Sequence, residues 1–222
     1  ADAEGVVVEH GGLADLREPV EGGSETGLIR VMARDQEIRR DSRKFRIAER
    51  NFRKNMEAIA RKCRRTGVPL VLSTVVSNVR DLSPLRSAHR EGFAPEEQRR
   101  WDRLWDEALM LWNAGDLAAA APMFRTLLEL DDRYAEAHFR LAKCQAAQEK
   151  WDAARTHYEE ALIHDVLRFR ASPVFNEILR NLAASTDAAD SNAPMILADV
   201  EAAFAGETES GVPGYDLMTD HL

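Results

Sequence analysis

Cysteine is scarce. The chain has two, Cys63 and Cys144, and neither belongs to a Cys-x-x-Cys pair. That spacing gives no support for a disulfide framework or a cysteine-rich zinc site. Each thiol sits on the apolar side of an expected helix, so two buried free thiols are expected. Long apolar runs are missing too, and none approaches the ~20 residues of a membrane span. The opening residues, ADAEGVVVEH, have neither the basic start nor the apolar core of a signal peptide. They also lack an initiator Met, so the chain is expected to be a fragment or a processed product. Residues 181–222 hold eight acids and no Lys or Arg. No Gly-Asp-Ser and no Gly-x-Asn stretch occurs in a strand context. No cofactor motif is recognised, and no cofactor is expected.

What is present is an ordinary globular composition. Of 222 residues, 45% are hydrophobic and 31% charged, too apolar for general disorder. The net charge of −8 is unevenly spread, because residues 30–65 hold 14 Lys/Arg against 5 Asp/Glu. Such a stretch can bind phosphates. It is also the solvated face of an amphipathic helix, and the apolar pattern favours that. Phe45, Ala48, Phe52, Met56, Ile59 and Cys63 recur at spacings of three and four, with the arginines mostly off the stripe.

The chain divides by texture. Residues 1–29 read as a loop or weakly ordered segment. A basic helix over 30–65 stops at Thr66-Gly67, with Pro69 beyond. Val68 to Val76 is a short, largely apolar run rich in β-branched residues, the mark of a buried parallel strand. It empties into a polar loop, Ser77 to Pro84, at the strand's carboxyl end, where open α/β sheets bind ligands. A polar connection over 85–100 follows. From 101 the pattern is helical only. A second strand is expected over 194–200, then a short helix near 201–205 and a loop over 206–214.

The helical block repeats itself. Shifted by 34 residues, Ala108 falls on Ala142, Ala120 on Ala154, Phe124 on Tyr158, and Asp131 on Asp165. Small residues let two helices approach, and the aromatic fills the groove between them. The pattern resembles the tetratricopeptide repeat. Two departures stand out. Glu149 occupies the turn position that Gly115 holds in the first copy, and the closing Pro is replaced by Asp132 and Val166. Two repeats expose an apolar face at each end. A helix over 172–184, opened by Ser172-Pro173, is expected to cover one, and the α/β scaffold the other.

A second resemblance spans about 45–222. GVPLVLSTVVSNVRDLSP, SAHREGF, HDVLRFRASPVFNEILRNLA and ILADVEAAF…GVPGYDLMTDHL resemble, in order, segments of bacterial SGNH/GDSL-type hydrolases with an internal tetratricopeptide array. The resemblance implies a partial flavodoxin-like α/β/α sandwich over 30–100 and 190–222, with an all-α tetratricopeptide insert over 101–189. It implies serine acyl transfer on an ester, with acylated carbohydrate a candidate substrate, and an extracytoplasmic or membrane-anchored setting. Asp220 matches the acid that orients the catalytic histidine. That histidine would be the first residue beyond Leu222, and His221 is not at its position. The nucleophile and oxyanion motifs belong to earlier strands.

Four further residues are substrate-binding candidates. Asn78, Arg80 and Asp81 either line a pocket or form an Asx turn with an Arg–Asp pair. His89 either contacts substrate or lies in a solvated loop. His138, His157 and His164 fall on repeat helices and are expected at surface or groove positions, without a metal. Trp101, Trp105 and Trp112 are expected in the core rather than on a stacking platform. The leading expectation is thus the C-terminal part of an ester hydrolase. The alternative is a non-enzymatic scaffold gripping a protein partner in its groove. Nucleic-acid binding is not expected, since the basic helix lacks interleaved exposed aromatics and any recognised motif.

Overall fold

A computed structural model describes residues 37–185 and 193–218. Helix α1 spans Arg43–Thr66. Its start is set by Ser42, whose hydroxyl accepts the Phe45 N–H at 3.1 Å. Its end is Gly67, in the left-handed region at φ 68°. Ten of its Lys and Arg side chains point to solvent. The expected apolar stripe is only partly covered. Phe45 is buried and Phe52, Met56 and Cys63 are half-buried, but Ile59 and Ala48 are exposed. Cys63 is therefore not the buried thiol expected, whereas Cys144 is.

Strands β1 (Leu70–Ser73) and β2 (Met195–Ala198) pair in parallel, Leu70 opposite Met195 and Ser73 opposite Ala198. Both are shorter than the apolar runs that announced them. Asp199 ends β2 by capping the next helix, accepting the Ala202 N–H. The helix is α7, Val200–Gly206. Thr74 clamps the two strand ends. Its hydroxyl donates to Asp199 at 3.0 Å and accepts the Glu201 N–H at 3.0 Å.

Between the strands lie two helical hairpins. The first is α2 (Pro95–Asn113) with α3 (Leu117–Leu130), and the second α4 (Ala135–Ala146) with α5 (Trp151–His164). The helical block begins at Pro95 rather than 101, because Pro at the first turn and Glu97 reaching back to the Ala94 N–H start it earlier. The residues matched by the 34-residue shift are all in the core. Ala108, Ala120, Phe124, Ala142, Ala154 and Tyr158 are at most 1% exposed. The interhelical turns match as well, since Gly115 (φ 77°) and Glu149 (φ 58°) both adopt the left-handed conformation. Trp101 is buried and Trp105 and Trp112 are half-buried.

Helix α6 (Pro173–Ala184) corrects one expectation. It touches α5 of the repeats, but its main partners are α1 and the strands rather than the end of the array. Phe175 packs on Phe45 and Phe52 of α1, with centroids 6.1 and 4.9 Å away. Asn176 takes both backbone groups of Val75, donating to its carbonyl and accepting its N–H. Arg180 grips Asp199 through two 2.8 Å bonds. So α6 belongs to the strand layer. Its apolar stripe fits a helix or a sheet equally well, and the sequence pattern does not say which.

The other correction concerns the sandwich. Among the described residues there are two strands, α6 on the sheet and α1 on α6. Val71 and Ile196, paired in register, point away from α6 and are 61% and 52% exposed. No three-layer sandwich is present among these residues. No described helix is long and apolar enough to cross a membrane.

Candidate functional site

The loop that leaves β1 is held by the repeats. Arg170, 6% exposed, donates to the carbonyls of Asn78 (3.1 Å), Leu82 (2.9 Å) and Ser83 (3.4 Å) and to Asp165 (3.1 Å). Burial lowers its pKa, and Asp165 works against that. Asp165 also accepts the N–H groups of Leu85, Arg86 and Leu167. Its repeat partner Asp131 does the same job 34 residues earlier in sequence. It accepts from Arg90 and Arg133 N–H and lies 2.7 Å from His89 Nδ1. Two equivalent helix-end aspartates, 2% and 0% exposed, thus staple one connecting loop across both hairpins.

Asn78, Arg80 and Asp81 come together as an Asx-type turn with an Arg–Asp pair. Asn78 Oδ1 accepts the Asp81 N–H at 2.9 Å, and Arg80 Nε donates to Asp81 at 3.2 Å. The loop after α7 docks onto them. Arg80 donates to Asp216 at 2.7 Å and its N–H to the Pro213 carbonyl at 3.3 Å. Tyr215 N–H and Lys143 Nζ reach Asp81 at 2.9 and 3.0 Å. Gly214 is required by close approach, since a Cβ there would overlap the Asp81 and Arg80 side chains. Burial pushes the Asp81 carboxyl up, but Tyr215, Lys143 and Arg80 outweigh it and hold it below the ordinary range. Burial lowers Arg80 as well, yet Asp216 and Asp81 raise it overall. The cluster is therefore two cations locked to two carboxylates, with little charge left over. Asn78 is fully buried, and its Nδ2 has no hydrogen-bond partner among the described residues.

His89 is set apart from these three. It stacks on Phe93 (4.8 Å) and meets the edge of Trp101 (4.7 Å), closing the open end of the first hairpin. Asp220 lies outside the described residues.

Beside the Arg80 cluster runs a groove of about 560 Å³. Trp112, Leu117, Trp151 and Tyr158 form its walls, with Arg80 and Lys143 at its rim. The Arg140 guanidinium lies 4.9 Å over the Trp112 ring and holds it. Tyr158 is 1% exposed. Its hydroxyl has no partner among the described residues, and burial pushes its pKa up.

Two stacked helical hairpins, small residues at the close approaches and a concave groove beside them are now in place. Residues 111–170 match a tetratricopeptide repeat family model. Comparison with curated proteins and with solved structures gives no match. The tetratricopeptide hairpins carry the groove, and the flanking loops finish them. Val79 and Val212, from the two loops, pack against Phe139, Ala142 and Tyr158 of the second tetratricopeptide hairpin. That explains how so short an array covers its end.

Sequence reasoning missed Arg170, Asp131, Asp165, Lys143, Gly214 and Asp216. Only the two aspartates left a signal, their recurrence in the repeat. It also missed a cluster on α4 and α5. His157, Glu160 and His164 lie three and four residues apart, which is one helix face. His138 of α4 faces them. His138 Nδ1 lies 3.0 Å from His157 Nδ1, and His164 Nε2 3.3 Å from Glu160. Of the three histidines expected at surface or groove positions, His157 and His164 are half-buried and His138 is buried. The partner came from the neighbouring helix, which helical spacing within one segment does not reveal.

Proposed function

We propose that the chain is a protein-interaction module whose tetratricopeptide groove receives an apolar anchor of a partner. The observation that carries this is the groove itself, walled by Trp112, Trp151 and Tyr158 on a matched repeat pair. Aromatic walls supply most of the binding energy in such interfaces. Arg80 and Lys143 are already paired to Asp81 and Asp216, so charge at the rim adds little. The partner is accordingly selected by an apolar side chain. The test is panning a random peptide library against the protein, with the Trp112→Ala variant as counter-selection. The expected result is a family of peptides sharing one aromatic or aliphatic residue, bound about tenfold or more weakly by the variant. Peptides that bind both proteins equally would sink this reading.

A second reading keeps the ester hydrolase, as part of a larger α/β unit. Two observations favour it. β1 and β2, with the whole repeat block between them, are parallel neighbours, and their outer face shows Val71 and Ile196 bare. Parallel sheets are normally covered on both faces, and a two-stranded sheet is marginal alone. Further strands and helices would cover that face. The loop leading to Asp220 is also anchored on Arg80 and Asp81, at the strands' carboxyl ends. Assaying the full gene product on p-nitrophenyl acetate tests this. Asp220→Asn is expected to cut kcat by about 10⁴-fold, as for an orienting acid. A full product without esterase activity, or one indifferent to Asp220→Asn, removes the reading.

A further inference from the structure

The His138–His157–Glu160–His164 cluster lies away from the Arg80 cluster and plays no part in either functional reading. One donor atom each from His138, Glu160 and His164 lies within 4.8 Å of the others. In a tetrahedral site with bonds of about 2.0–2.1 Å, donors sit roughly 3.3 Å apart. Two pairs here are already near that spacing, His138–His157 at 3.0 Å and His164–Glu160 at 3.3 Å. His138, Glu160 and His164 already converge to within 4.8 Å, so reaching that spacing needs side-chain movement on the order of 1–2 Å. Glu160, His157 and His164 are only half-buried, so they are free to make it.

The hydrogen bonding also prepares the donors. His138 is 6% exposed, and its Nε2 lies 2.9 Å from the Asp132 carbonyl. A carbonyl only accepts, so Nε2 carries the proton and Nδ1 the lone pair. A ligand imidazole whose other N–H donates to a backbone carbonyl is the usual arrangement around a bound metal. His157 then donates Nδ1–H to His138 Nδ1. Shifting that proton to its own Nε2 frees a second lone pair, with no net change of charge. Arg125, the cation that acts on His157, is solvent-exposed, and Arg133 and Arg40 nearby are paired with Asp41 and Glu49.

We propose that His138, Glu160 and His164, with His157 as fourth donor, bind a divalent transition-metal ion of the zinc class. Imidazole-rich donors with one carboxylate select zinc and its neighbours over magnesium or calcium. The ion would bolt α4 to α5 at the end of the array opposite the turn at Glu149.

Calorimetric titration of the whole chain with ZnCl₂, with MgCl₂ as control, tests this. The expected result is one Zn²⁺ per chain and no Mg²⁺ binding. The Glu160→Gln/His164→Gln double variant should bind Zn²⁺ about tenfold or more weakly. If that variant does not fold by circular dichroism, His164→Gln alone serves, with the same expectation. Cys63→Ser should bind as tightly as wild type. No saturable Zn²⁺ binding, binding that survives the cluster substitution, or binding that depends on Cys63 overturns the proposal.

Discussion

Glu149 is where the repeat pattern is least well served. Its backbone sits at φ 58°, the counterpart of Gly115 at φ 77°. A residue with a Cβ is strained there, and glycine is not. Glu149→Gly should therefore raise stability by about 0.5–1 kcal/mol, read as a higher urea midpoint with an unchanged slope. A lower midpoint would show that the glutamate side chain contributes more than the turn costs. Asp131 makes a pH prediction. Burial raises its carboxyl pKa, but His89 and the Arg133 and Arg90 N–H groups outweigh this and hold it below the unfolded value. A depressed carboxylate stabilises the fold fully above its unfolded pKa of about 3.9, and that share is lost as pH falls through the folded pKa. The stability gap between wild type and Asp131→Asn should be constant from neutral pH to about 4 and shrink below it. A gap that widens on acidification would contradict the assignment.

At the scale of elements, the decisive contacts join loops to helix ends. Arg170 and Asp165 form a pair with both side chains 3% exposed, and Arg170 also carries three loop carbonyls. Removing one partner of a buried pair leaves the other uncompensated. Arg170→Met should cost about 3–5 kcal/mol, measured by denaturant unfolding. A loss below about 1 kcal/mol would place the pair among weak surface bridges. Much of the element pattern was legible beforehand. Gly67 ending α1, the two strands, and the 34-residue period all carry local signals, whereas the helix expected from residue 30 is capped only at Ser42. The 3.6-residue stripe of α6 was legible too, but not its neighbour. Phe175 found Phe45 and Phe52 because α6 shares a layer with the strands, a choice that periodicity leaves open.

For the whole molecule, the question is how two hairpins hold together. Val79 and Val212 cover Tyr158 and its neighbours, and His89 with Phe93 covers Trp101. Both covers come from outside the hairpins. A fragment of residues 95–170 should then lack a cooperative thermal transition that residues 38–222 display, as read by circular dichroism. Equal melting temperatures for the two would show the hairpins self-sufficient.

By itself, the sequence determined the repeat and its turns, because small residues, an aromatic and a left-handed position recur at a fixed period. For Asn78, Arg80 and Asp81, neighbours along the chain, it offered the Asx turn with an Arg–Asp pair as one of two readings, and the fold shows that turn. Only the tertiary structure decided that Asp216, Tyr215 and Lys143 meet them, and that His138 faces His157, Glu160 and His164. Those contacts join residues far apart in the chain or on different helices. Their geometry follows from packing, which leaves no periodic trace in any one segment.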